Sequence, residues 1–281
     1  MQAEAAQPAD EVADGLARPA RRSAPRSTGA VPSAFRSVRA EVWLVFGLSL
    51  GVSGVRAVLQ LIGTLSTRRP LNTQVTVLNG SQAPQSWLDL ALQLTSIVSG
   101  IVPVLLVAYF LWTAGGGLRT IGVDGRQPRR DALRGAVLAA VVGGTGLALY
   151  VAAHAAGMNL TIVPEALPAV WWRIPVLILS ALQNAMLEEV LVAGYLLHQL
   201  RALGWRDGRA LALSAVLRGS YHLYQGFGGF VGNMVMGAVF GRLYQRWGRT
   251  MPLIVAHTLI DSVAFVGFIL LAGHVSWLPG A

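Results

Sequence analysis

Apolar stretches recur along the chain and are separated by short polar turns. They fall at roughly 42–64, 86–113, 132–155, 171–200, 209–226, 229–245 and 251–272. A helix that crosses the hydrocarbon core of a bilayer needs ~20 mostly apolar residues. The pattern therefore predicts an all-α, polytopic membrane bundle of about seven transmembrane helices. Stretches five and six are short and joined by the glycine-rich "QGFGGF", which predicts a tight helical hairpin. Stretch six also carries Gly228-x-x-x-Gly232 and Gly237-x-x-x-Gly241. Small residues at that spacing let helix backbones approach closely, and internal packing is the expected use. Residues 1–40 are rich in Ala, Pro, Ser and Arg without apolar periodicity, and read as a disordered cytoplasmic tail. The tail lacks the apolar core of a signal peptide directly after its basic residues. Residues 41–165 then form N-terminal transmembrane helices, and residues 166–275 a second transmembrane unit.

Composition agrees with a membrane setting. The 281 residues are 54% hydrophobic and 12% charged, with a mean hydropathy of +0.55, whereas soluble domains carry about a quarter charged residues. The absence of cysteine excludes a disulfide framework and a Cys-ligated metal. All 22 basic side chains are arginine, the usage expected of a GC-rich genome. The net charge of +9 does not indicate a nucleic-acid partner, because the arginines cluster at the ends of apolar stretches.

That clustering sets the orientation, since cytoplasmic loops are enriched in Lys and Arg. The tail carries Arg18, Arg21, Arg22, Arg26, Arg36 and Arg39. The second loop carries Arg119, Arg126, Arg129 and Arg130, the fourth Arg201, Arg206 and Arg209, and the sixth Arg242, Arg246 and Arg249. The first loop has only Arg68 and Arg69, and the third only Arg173 at a helix start. The N-terminus is therefore inside, the odd-numbered loops are outside, and an integral protein of a bacterial plasma membrane is the expected setting.

A charge at mid-bilayer costs ~2.5–3.5 kcal/mol on insertion scales, and such residues usually face a bundle interior or a water-filled cavity. The ionisable residues well inside the spans are Arg56, Glu188, Glu189, Arg218, His222, His257 and Asp261. His154, His198 and His274 lie near span ends and read as interfacial or core residues; Arg56 has no assigned partner. Counted from the arginine-rich ends at 1.5 Å per residue, Glu188, His222, His257 and Asp261 lie ~9–20 Å deep on three different helices. Their shared depth predicts one site, open to the cytoplasm. His257 and Asp261 are four apart and share a helix face, as do Arg218 and His222. Glu188 and Glu189 are 100° apart on their helix, so one can face the histidines while the other pairs elsewhere. Tyr221, Tyr224, Gln225 and Asn233 flank the group, either as interfacial residues or along a substrate path.

These groups fit more than one chemistry. A glutamate and a histidine can hold and deprotonate a water for attack on a peptide carbonyl. Glu188, His222 and His257 can instead ligate a divalent metal such as zinc, which lowers the pKa of a bound water. Glu–His chains also serve as proton relays in transporters. A transporter usually shows repeat-related broken helices, and no convincing internal repeat is present.

At these residues the sequence resembles the CPBP family, the CAAX protease and bacteriocin-processing proteins also called the Abi family. These are intramembrane endopeptidases that include the type II CAAX prenyl proteases. The family's motifs are Glu-Glu-x-x-x-Arg, Phe-x-x-x-His and His-x-x-x-Asn/Asp, in that order. Here "EEVLVAG" begins at Glu188, "RGSYH" ends at His222, and "HTLID" joins His257 to Asp261. The resemblance covers roughly residues 171–272. It implies that residues 166–275 are a catalytic core, that Glu188 and His222 activate the attacking water, and that His257 and Asp261 form the oxyanion-stabilising side. The partners implied are membrane lipid and a peptide or protein substrate. The family is described both as glutamate-dependent and as metal-dependent, and nothing in the sequence sets the oligomeric state.

Two positions depart from the family pattern. The motif arginine is Ala193, and the motif phenylalanine is Arg218. Both changes fit one relocation, in which Arg218 reaches Glu189 from the neighbouring helix. Without that compensation, the lost arginine points to a catalytically silent scaffold of the same fold.

Overall fold

The computed structural model describes residues 33–275 and 277–280, so residues 1–32 of the expected tail lie outside the described part. Helix α1 (Ser33–Gly47) leads into α2 (Leu50–Ser66), α3 (Ser86–Thr113) and α4 (Pro128–Ala155). The second half contains α5 (Arg173–Glu188), a π-helical segment (Glu189–Leu196) and α6 (Leu197–Ala202), which continue one another. It closes with α7 (Asp207–Ser220), α8 (Phe227–Trp247) and α9 (Met251–Leu271).

The expected helical bundle is present, but length and composition support fewer than seven spans. Among the described residues, α3, α4, the run Arg173–Ala202 and α9 are long and apolar enough to cross a membrane. α1 and α2 make a fifth if the pair, bent by 43°, is one broken span. α7, at 14 residues, is shorter than the ~20 a span needs. α8 has the length, but glycines, Asn233 and Arg242 interrupt its apolar run. These two helices form the expected hairpin, and Gln245 Nε2 joins its two ends by donating to Asp207 O at 2.9 Å. A hairpin with both ends on one face leaves the alternation of the other helices unchanged.

Glycine makes the hairpin tight. A Cβ on Gly237 would lie 2.9 Å from Arg218 Cδ, and one on Gly219 would lie 2.8 Å from Phe230 O. Gly237→Ala is therefore expected to lower stability by about 1–3 kcal/mol, the usual range for overpacking. Thermal unfolding in detergent micelles checks this, and an unchanged midpoint would contradict the close packing.

Each end of the bundle is tied by its own contacts. At the arginine-rich end, Arg249 bridges Asp131 Oδ2 at 2.6 Å and Asp124 Oδ1 at 3.0 Å, joining the start of α9 to that of α4. The backbone N–H of Arg126 and the Arg249 guanidinium hold the Asp124 carboxyl below its ordinary value. Thr250 N donates to Ile121 O at 3.1 Å. At the other end lies an element absent from the sequence reading, a parallel pair of strands. β1 (Val75–Gly80) and β2 (Thr161–Ala166) align with Val75 opposite Thr161 and Gly80 opposite Ala166. The hairpin tip reaches this end, where Leu160 N donates to Gln225 O at 3.0 Å and Gly229 N to Asn159 Oδ1 at 2.9 Å.

The main core lies between Glu189 and the arginine-rich end. Every residue from Val190 to Leu197 is buried, packed with Val45, Val107, Phe240 and Leu253. Ser214 Oγ donates to Val192 O at 3.0 Å within this π-helical stretch. π-helical turns are rare and often occur at functional sites; this one begins at the second acid of the pair.

Candidate active site

Three elements converge where the spacing predicts. α5 ends at Glu188, and Glu189 opens the π-helical segment. α7 delivers Arg218 from its last turn, and the turn after it delivers Tyr221 and His222. α9 supplies His257 and Asp261 one helical turn apart. Glu188, Glu189, Arg218 and His257 are all buried, with Arg218 only 1% exposed.

The two glutamates have separate partners. Arg218 Nη1 donates to Glu189 Oε1 at 2.7 Å, so the ion pair expected from the relocated charge is present. Arg218 Nη2 also lies 3.2 Å from Glu188 Oε2. The Arg218 guanidinium sits over Phe240, 5.5 Å from the ring centroid, in the geometry of a cation–π contact. Tyr221 OH donates to Glu188 Oε2 at 2.9 Å. Both contacts use one Glu188 oxygen and leave Oε1 directed toward His222 Nε2, 3.9 Å away. That gap is too long for a direct hydrogen bond and suits one bridging water.

Each imidazole's proton position follows from its neighbours. His222 Nδ1 lies 2.9 Å from Arg218 O. A carbonyl can only accept, so Nδ1 carries the proton and Nε2 presents its lone pair to Glu188. His257 Nδ1 lies 2.8 Å from Glu189 Oε1 and 3.3 Å from Arg218 Nη2. Bonded to the carboxylate, that nitrogen carries a proton, and the arginine is a neighbour that cannot donate to it. His257 Nε2 lies 3.5 Å from Asp261 Oδ2, which accepts from Asn184 Nδ2 at 3.1 Å. Asn184 is the contributor that the motifs miss. It precedes Glu188 by four residues and so shares its helix face, the one signal the sequence offers.

The donor geometry differs from the metal set inferred from sequence. Oxygen and nitrogen atoms of Glu188, Glu189 and His257, rather than Glu188, His222 and His257, lie within 4.8 Å of one another. The Arg218 guanidinium contacts both of those carboxylates. A divalent ion held by them would stand against that cation, in a pocket where both would be desolvated. With Arg218 in place, the residues do not fit a divalent metal.

His222, His257 and Asp261 form the inner wall of a cavity of about 810 Å³. Arg56 and Gln60 of α2, Thr76 and Asn79 of β1, and Gln183 of α5 line the rest. Their depth predicts an opening at the arginine-rich ends; the cavity lining reaches β1, at the other end of the bundle. The buried run Val190–Leu197 packs the bundle on the arginine-rich side of the acids. Arg56, unassigned from sequence, lines this cavity. A second, mostly apolar cavity of about 1040 Å³ lies between α4, α8 and α9 and meets the first at Asn233, Met236 and Asp261.

Comparison with curated proteins and with solved structures found no match. Residues 170–263 match a family model described as type II CAAX prenyl endopeptidase Rce1-like. The matched segment runs from just before α5 into α9 and contains all three motifs. The membrane-capable helices agree with an integral membrane protein, and its C-terminal helices are similar to those of the CAAX-type protease family that the motifs resemble.

Proposed function

We propose that the chain is an intramembrane endopeptidase that hydrolyses a peptide bond with a water activated by Glu188 and His222. The observation that carries this is the facing pair of Glu188 Oε1 and His222 Nε2, 3.9 Å apart, with His222 lining the cavity. A water between them donates one proton to Glu188 and is oriented by the His222 lone pair. Its oxygen attacks the peptide carbonyl carbon as the proton passes to Glu188. The carbonyl oxygen becomes an oxyanion. His257, flanked by Glu189 and Asp261, in its doubly protonated form donates Nε2–H to that oxyanion. The C–N bond then breaks, and Glu188 returns the proton to the leaving amine. The products are a carboxylic acid and an amine, and the acid passes its proton to the amine to leave a carboxylate and an ammonium.

The apolar cavity that joins the polar one at Asp261 suits a substrate with a lipid-embedded portion, since its walls include glycine faces of α4 and α8. The test is cleavage of a membrane-peptide library by wild type and Glu188→Ala. Wild-type cleavage that Glu188→Ala lacks is the expected result. Equal cleavage by both removes Glu188 from the mechanism, and none by either favours a silent scaffold. Because Arg218 takes the place a metal would occupy, EDTA is expected to leave the cleavage rate within about twofold of the untreated rate (~0.4 kcal/mol). Loss of activity on chelation, restored by zinc, would refute the metal-free reading.

A further inference from the structure

We infer that the site is served from the arginine-poor, outer face of the membrane, and that its substrates are peptide segments exposed on that side. This rests on the proteolytic reading for the word substrate, but not for the orientation.

Two independent observations lead to it. The first is charge. The loops joining α3 to α4, α6 to α7 and α8 to α9 hold Arg119, Arg126, Arg206 and Arg249, and Arg201, Arg209 and Arg246 flank them. The opposite end has Arg68, Arg69 and Arg173, and Arg173 is paired with Glu165. By the bias of basic residues toward the cytoplasm, the end bearing β1 and β2 is outside. Arg249 with Asp124 and Asp131 joins two of the arginine-bearing loops, and Gln245 Nε2 donating to Asp207 O ties the third to the same end.

The second is the shape of the cavity. It extends to Thr76, Asn79 and the exposed Gln82, in the segment between α2 and α3 at the arginine-poor end. Its remaining wall is polar, with Ser53, Gln60, Gln93 and Ser96 from α2 and α3. Polar side chains on helices of a membrane bundle belong where water reaches. On the other side of the acids, the buried core closes the path toward the arginine-rich loops.

The consequence concerns substrate class. A prenylated protein presents its lipidated end at the cytoplasmic face, where the packed core stands between it and the acids. A secreted peptide, an outer loop or the outer juxtamembrane part of another membrane protein meets the arginine-poor end of the cavity directly.

The natural chain has no cysteine, so single cysteines report position without further changes. Gln82→Cys stands exposed at the arginine-poor end of the cavity, and Arg126→Cys at the arginine-rich end, where that side chain is 71% exposed. Intact spheroplasts expressing each variant are treated with a membrane-impermeant maleimide, before and after permeabilisation. Gln82→Cys is expected to label in intact spheroplasts, and Arg126→Cys only after permeabilisation. The reverse pattern, labelling of both in intact spheroplasts, or labelling of both only after permeabilisation overturns the orientation. A second arm adds a peptide library outside intact spheroplasts expressing wild type. Wild-type-dependent cleavage is expected there. Outward labelling with no cleavage from either side of the membrane leaves the orientation standing and defeats the proteolytic reading. Cleavage only in inverted vesicles overturns the inference.

Discussion

Replacing Arg218 with methionine is expected to cost about 3–5 kcal/mol, the loss seen when one partner of a buried ion pair is removed. Methionine keeps much of the packing against Phe240 and Gly237 but leaves two carboxylates without their cation. Glu189 is fully buried and Glu188 is 3% exposed, so neither regains water readily. Glu189 also keeps one oxygen, Oε2, without a hydrogen-bond partner even in the intact site. Part of the penalty therefore resides in Glu189. Adding Glu189→Gln to Arg218→Met is expected to cost clearly less than the sum of the two single changes. Unfolding of the four proteins in mixed micelles gives the coupling energy directly. A coupling near zero would mean that Arg218 acts by filling volume. A coupling of 2 kcal/mol or more would identify it as the counter-ion that replaces the motif arginine absent at Ala193.

That relocation was legible in the sequence because it left two traces, a missing arginine and a new one a turn from a histidine. Helix spacing turned the second trace into a direction, since Arg218 and His222 share a face. The hairpin was legible for a similar reason. Its glycines recur at the interval that brings backbones together, and α7 and α8 do pack there. The span count was harder to read, because apolar length alone does not separate a helix that faces lipid from one that packs among its neighbours. α7 does both: it is short and buries Arg218 and Ser214, while its Leu213 and Val216 stay exposed. The strands β1 and β2 escape the reading because each is six residues long and their pairing joins segments far apart in sequence.

The direction in which a buried site opens is not legible from depth alone. Four polar residues at one level define a layer, and a layer can be reached from either side. What decides the side is which half of each helix is filled, and that depends on contacts between elements. α5 and α9 place Asn184 and Asp261 on the open half, whereas the residues following Glu189 are packed against α1, α3 and α9. Tyr221 illustrates the same limit. It stands beside His222 in the sequence as an ordinary interfacial tyrosine would, and only the fold reveals that its hydroxyl holds a Glu188 oxygen.

Glu188→Gln is expected to lower kcat/KM by about 10²–10⁴-fold, the usual contribution of general acid–base catalysis. The amide keeps the shape of the side chain and can still accept from Tyr221 OH, but it cannot take a proton from water. Tyr221→Phe separates this role from positioning. It removes a hydrogen bond to a charged group, worth about 1.5–3 kcal/mol if it is fully expressed in the transition state, or ~10–150-fold in rate. The two carboxylate oxygens thus make different predictions: loss of the Oε2 partner slows the enzyme, whereas loss of the charge nearly stops it. Because Tyr221 touches no reacting atom in the proposed mechanism, its phenylalanine variant should retain a rate that still depends on Glu188. Measuring kcat/KM for wild type, both single variants and the double variant resolves the hierarchy. If Tyr221→Phe/Glu188→Gln is no slower than Glu188→Gln alone, the tyrosine acts through the glutamate. Independent, multiplicative losses would instead place the phenol itself against the substrate, as an oxyanion donor alongside His257.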